Sequence, residues 1–132
     1  MSEESRVLVT HNVFQGEDKQ IKFLVTDSAG VPINLTSGGY TLAWFLFTQA
    51  GPSGVKLLTK SGASITVANG NGTNDAATVA IADTDTIDTA GEPVIAAATL
   101  WHELWKVNEG DEQMLAFGDF VLRPSRRRQE SS

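Results

Sequence analysis

The 132-residue chain has no cysteine, only two histidines and a single tyrosine. Without cysteine there is no disulfide framework, no thiolate metal site and no thiol nucleophile, a composition that suits a reducing compartment. Long apolar runs are also missing. The longest, VIAAA and LAWFLF, fall far short of the ~20 residues that cross a bilayer. The opening segment MSEESRVLVT is acidic and polar, without the basic start and apolar stretch of a secretory signal. The expectation is a soluble chain with no membrane partner, whose export would need other means, including riding on a larger assembly. Phosphate-cradling glycine loops, dinucleotide-binding glycine runs and zinc motifs are absent, which argues against an enzyme and against a cofactor.

Positive charge is scarce except at one end. Residues 1–122 carry six basic against fifteen acidic side chains, while the last ten residues, RPSRRRQESS, carry four arginines and one glutamate. An acidic body repels nucleic acid, so a phosphate or an acidic neighbouring subunit would be met only through the tail, at Arg126, Arg127 and Arg128.

A hydrophobic content of 41% against 20% charged residues describes a folded chain, and 132 residues suffice for one core. Short strand-like runs separated by turn clusters dominate: RVLVTHNV (6–13), QIKFLVT (20–26), YTLAWFLF (40–47), VKLLTK (55–60), ASITVAN (63–69), AATVAIA (76–82), VIAAATLWHELWKV (94–107) and MLAFGDFVLRP (114–124). This pattern predicts an all-β, immunoglobulin-like antiparallel sandwich of about seven to eight strands over residues 6–124. Residues 1–5 and the Arg-rich tail 125–132 are expected to be flexible. In DSAGVP, Asp27 and Ser28 can bond back to the backbone, Gly30 tolerates positive φ and Pro32 fixes its own. In DTDTIDTAG, Asp83 or Thr84 would cap a single helical turn that Gly91 ends.

Candidate chemistry is thin. His11 and His102 lie far apart within strands, with no serine or aspartate constellation beside them. Asp83, Asp85 and Asp88 crowd three carboxylates, but an EF-hand frame would need glycine at Asp88 and glutamate at Val94, so no metal site is expected. The sequons at Asn34 and Asn71 read as turn residues.

What the sequence does hold is a surplus of apolar surface. In the 40–47 run, Leu42, Trp44 and Leu46 alternate with Ala43, Phe45 and Phe47, so both faces are apolar. In the 94–107 run, Leu100, His102 and Leu104 alternate with Trp101, Glu103 and Trp105. Two such strands in one sheet leave more apolar area than a lone sandwich covers. Trp44, Phe45, Phe47, Trp101, His102 and Trp105 are therefore the interface candidates, in a homo-oligomer or a ring. A stand-alone carbohydrate- or cell-surface-binding sandwich is the alternative; it calls for aromatics on loops, whereas these tryptophans lie in strands.

The order of signals resembles a known family. FQGEDKQIKFLVTDSAGVPINLTSGGYTLAWFLF is similar to the start of a small β-sandwich domain of tailed bacteriophages, found at the N-terminus of baseplate upper proteins and in related small virion proteins. The shared positions are Gly16, Glu17, Thr26, Asp27, Gly30, Pro32, Ile33 and Leu35. Later come Val79, Ile81, Asp83 and Thr84, then Trp101, His102, Glu103 and Leu104, and finally Gly118, Phe120, Leu122 and Pro124. The segment GEPVIAAATLW is longer and more apolar than its counterpart in that family, and the sequence ends after the sandwich. The resemblance implies a non-enzymatic virion protein, assembled from the bacterial cytoplasm with other virion proteins as partners. A tail, baseplate or neck adaptor and a head-decoration subunit are the roles it suggests.

Overall fold

A computed structural model describes residues 7–8, 11–27, 29–36, 41–88, 90, 92–108 and 110–124. Among the described residues nine strands run in chain order: β1 (Val7–Leu8), β2 (His11–Phe14), β3 (Lys19–Leu24), β4 (Leu42–Phe47), β5 (Lys56–Ser61), β6 (Ile65–Ala68), β7 (Ala76–Ile81), β8 (Ala98–Asn108) and β9 (Asp111–Arg123). They form two sheets. The larger has the order β1/β2–β9–β8–β4–β5, and the smaller has the order β3–β7–β6. β1 and β2 share one partner and one register, since Leu8 pairs with Phe117 and His11 with Phe120. Counted as one edge strand, they bring the total to eight.

This order is that of an immunoglobulin-like sandwich, and it places the first described strand beside the last. One expectation needs correction. The edge pairing of β1 and β2 with β9 is parallel, whereas the remaining ladders are antiparallel, so the large sheet is mixed.

Alternation builds the core. β3 buries Ile21 and Phe23, and β7 buries Ala77, Val79 and Ile81. The large sheet meets them with Val13, Leu42, Trp44, Leu46, Leu100, Leu104, Phe120 and Leu122. Where variable domains carry a disulfide between the second and second-last strands, this chain stacks rings instead. Phe23 of β3 lies 5.5 Å from His102 of β8, and Trp44 of β4 lies 6.0 Å from the same imidazole.

The loops do what their composition requires. Gly16 turns the chain between sheets at φ 79°, and its N–H donates to Thr86 Oγ1 at 2.8 Å. Asp27 Oδ1 accepts the N–H groups of Ala29 (2.9 Å) and Val31 (3.0 Å), with Gly30 at φ 82°. Before β7, the buried Asp75 carboxylate collects the N–H groups of Gly70 (2.7 Å), Asn71 (3.1 Å) and Gly72 (3.1 Å). Burial pushes that carboxyl's pKa up, but the backbone donors outweigh it and hold it below the ordinary value.

The helical turn is a 3-10 turn over Asp83–Asp85, preceded by Ala82 rather than capped by Asp83 or Thr84. Asp85 reaches back to accept the Ala82 N–H at 2.7 Å and also pairs with Lys60 Nζ at 2.7 Å. A second 3-10 turn, Gly62–Ser64, escaped the sequence reading. The strand expected from residue 94 starts at Ala98, and β9 begins earlier than expected, at Asp111. The hairpin between them is therefore tight, with Asn108 paired to Asp111 and Gly110 at φ 78°. The predicted flexible ends 1–5 and 125–132 lie outside the described residues.

Candidate functional site: the outer face of the large sheet

Register places the outward side chains of four strands in cross-strand rows. One row runs Asp119 (β9), Trp101 (β8), Phe47 (β4), Lys56 (β5). The next runs Phe117, Glu103, Phe45, Thr59, and the third runs Met114, Trp105, Ala43, Ser61. Two irregularities keep the rows aligned. In β9 the extra residue Leu115 is buried, so Met114 still faces outward; in β5 the extra residue is Leu57.

The result is a continuous aromatic floor. Trp101 and Phe117 lie with ring centroids 5.3 Å apart, and Phe45 and Phe47 lie 6.1 Å apart. Lys56 Nζ sits 4.9 Å from the Phe45 ring centre, close enough for a cation–π contact. At the middle stands Glu103. Residues two apart on a strand share a face, so it is flanked by Trp101 and Trp105. It accepts both indole N–H groups, from Trp101 at Oε2 and from Trp105 at Oε1, each at 2.8 Å. The carboxylate thus satisfies both indoles and fixes both rings, while Phe45, Phe47, Trp101, Trp105 and Phe117 all stay half-exposed.

Four of the six interface candidates, Phe45, Phe47, Trp101 and Trp105, lie on this face. The other two do not. Trp44 and His102 point into the sandwich and are fully buried. Trp44 Nε1 donates to His102 Nδ1 at 3.1 Å, so the two polar groups answer each other inside the core. An accepting Nδ1 makes that imidazole neutral, with its proton on Nε2. Phe120 closes the cluster, 5.6 Å from His102 and 5.8 Å from Trp44. Neither residue can meet a partner while the domain is folded. The sequence reading missed Phe117, Met114 and Lys56, which enter the face only through the register of β9 and β5.

Neither a family model nor a curated protein matches this chain.

The remaining candidates are structural in their surroundings. His11 stacks edge-on against Phe23 (6.0 Å) and His102 (5.7 Å), and its Nε2 is buried without a hydrogen-bond partner. Burial, and then the charge of Lys19, holds its pKa below the ordinary 6.5. Asp88 Oδ1 accepts the N–H groups of Ala90 and Glu92, so this carboxylate shapes its turn, as Asp85 does. Among the described residues no group of three metal-ligating side chains is assembled, and no helix is long and apolar enough to cross a membrane. An open cleft of about 570 Å³, lined by Asp18, Lys19, Gln20 and Lys60 among others, lies away from the aromatic floor. Arg126, Arg127 and Arg128 lie outside the described residues.

Proposed function

We propose that this chain is a non-enzymatic structural subunit of a bacteriophage virion, joining neighbouring proteins through the outer face of its large sheet. The observation that carries the reading is the aromatic floor, whose two tryptophans are already locked by Glu103. Side chains held in one rotamer lose little entropy on binding. Tryptophan and phenylalanine are the residue types that give interface centres their energy. The virion setting rests on the resemblance of residues 13–124 to phage β-sandwich domains. The role it suggests is an adaptor of tail, baseplate or neck, or a head decoration.

The test is direct. Mass spectrometry of purified particles should find the wild-type chain, and Phe47→Asp, which puts a charge on the floor beside Trp101, should be lost from them. Absence of the wild-type chain from particles counts against the virion setting, and undiminished uptake of Phe47→Asp counts against the face.

A further inference from the structure

We infer that the occupant of the outer face is a second copy of this chain, docked about a two-fold axis parallel to the strands, so that Lys56 of each copy meets Asp119 of the other. The inference rests on the reading of this face as an interface and specifies its partner.

The argument is the charge order along one row. Asp119, Trp101, Phe47 and Lys56 follow one another across the sheet, negative at the β9 end and positive at the β5 end, with two aromatics between. Both charged residues are exposed, and Lys56 is already drawn onto the face by the Phe45 ring. With strands about 4.8 Å apart, the two charges stand roughly 14 Å from each other. An axis parallel to the strands, midway between β8 and β4, reverses the row in the second copy. Each Asp119 then faces a Lys56, and the aromatic centres meet in between. A self-complementary patch of this kind is what a two-fold interface requires.

The middle row selects the same axis. Reversed, it sets Glu103 of one copy against Phe45 of the other and leaves its carboxylate on the two indole N–H groups of its own chain. A carboxylate with both oxygens occupied can be covered without losing its partners. An axis running across the strands through that row would instead press Glu103 against its own copy, burying like charges face to face.

The chain has no cysteine, so introduced thiols are the sole ones present. In the full chain carrying both Lys56→Cys and Asp119→Cys, a short bifunctional maleimide that spans facing sheets about 10 Å apart should give a covalent dimer on a denaturing gel. Each single variant should stay uncross-linked. In light scattering, Lys56→Glu and Asp119→Lys should each weaken the dimer about tenfold, and the two together should restore it, as expected for two exposed charge pairs lost at once. Cross-linking of Asp119→Cys alone means a two-fold axis that passes beside Asp119 itself, and overturns the arrangement. A wild-type monomer at high concentration, with Phe47→Asp still blocking uptake into particles, overturns the second copy but leaves the interface standing. If Phe47→Asp alters neither oligomeric state nor uptake, both readings fall.

Discussion

Two tryptophan arrangements sit back to back on β4 and β8. On the inner side the Trp44 indole donates to the imidazole of His102, and on the outer side Trp101 and Trp105 both donate to the carboxylate of Glu103. All three indoles need an acceptor, yet the acceptor differs with depth. A charge in the closed core would forfeit its hydration without repayment, so a neutral ring nitrogen serves there. On the half-exposed face a carboxylate keeps its water-facing side and gives stronger, charge-assisted bonds. The inner arrangement belongs to stability and the outer one to shape.

The widest gap should come from truncating one indole on each side. Trp44→Ala is expected to cost about 3–5 kcal/mol, since it opens a cavity and strands His102 Nδ1. Trp101→Ala should cost about 1–2 kcal/mol, because water can fill the space it leaves. Urea denaturation followed by circular dichroism measures both, and equal losses would erase the distinction between the faces.

A smaller effect is expected from Glu103→Ala, about 1 kcal/mol in the same assay. Its larger signature should be local: near-ultraviolet circular dichroism from Trp101 and Trp105 should weaken as the rings lose their common anchor, while the far-ultraviolet spectrum stays unchanged. A wild-type near-ultraviolet spectrum would mean that packing alone holds the two rings.

The smallest effect is on pH dependence and concerns the inner side. His11 has a lowered pKa in the folded chain, so below its ordinary 6.5 the unfolded chain binds the proton more readily. Its contribution to stability is fully present above pH 6.5 and declines as pH falls from there toward the lowered folded value. Denaturation midpoints at pH 7.5 and 5.5 should therefore differ more for wild type than for His11→Phe. An identical drop in both would acquit His11. Asp75, held down by the backbone N–H groups around it, adds a loss only below the ordinary carboxylate range.

Much of the fold was legible because alternation and turn chemistry are local signals. The short strand-like runs and the DSAGVP turn each announced their own geometry. The interior of the large sheet was harder to read. Period-two alternation grouped Trp101 with Trp105 and His102 with Leu104, but it could not say which group faced inward, since both held aromatic rings. That choice is made by Phe23 and Trp44, which come from strands about 80 and 60 residues away in sequence. Met114 and Lys56 joined the face only through two bulges, and a bulge leaves no mark on the hydrophobic pattern. The parallel edge pairing was equally hidden, because it ties the first described strand to the last.

That pairing sets how the domain carries load. β1 and β2 run beside β9 in the same direction, from Val7 against Ala116 to Phe14 against Arg123. A pull on the chain at Val7 and at Arg123 therefore acts along the strands in opposite senses. The ladder is sheared, and its hydrogen bonds must give way together instead of peeling one at a time. Tension on the chain meets its resistance at the outermost strand, before it reaches the core.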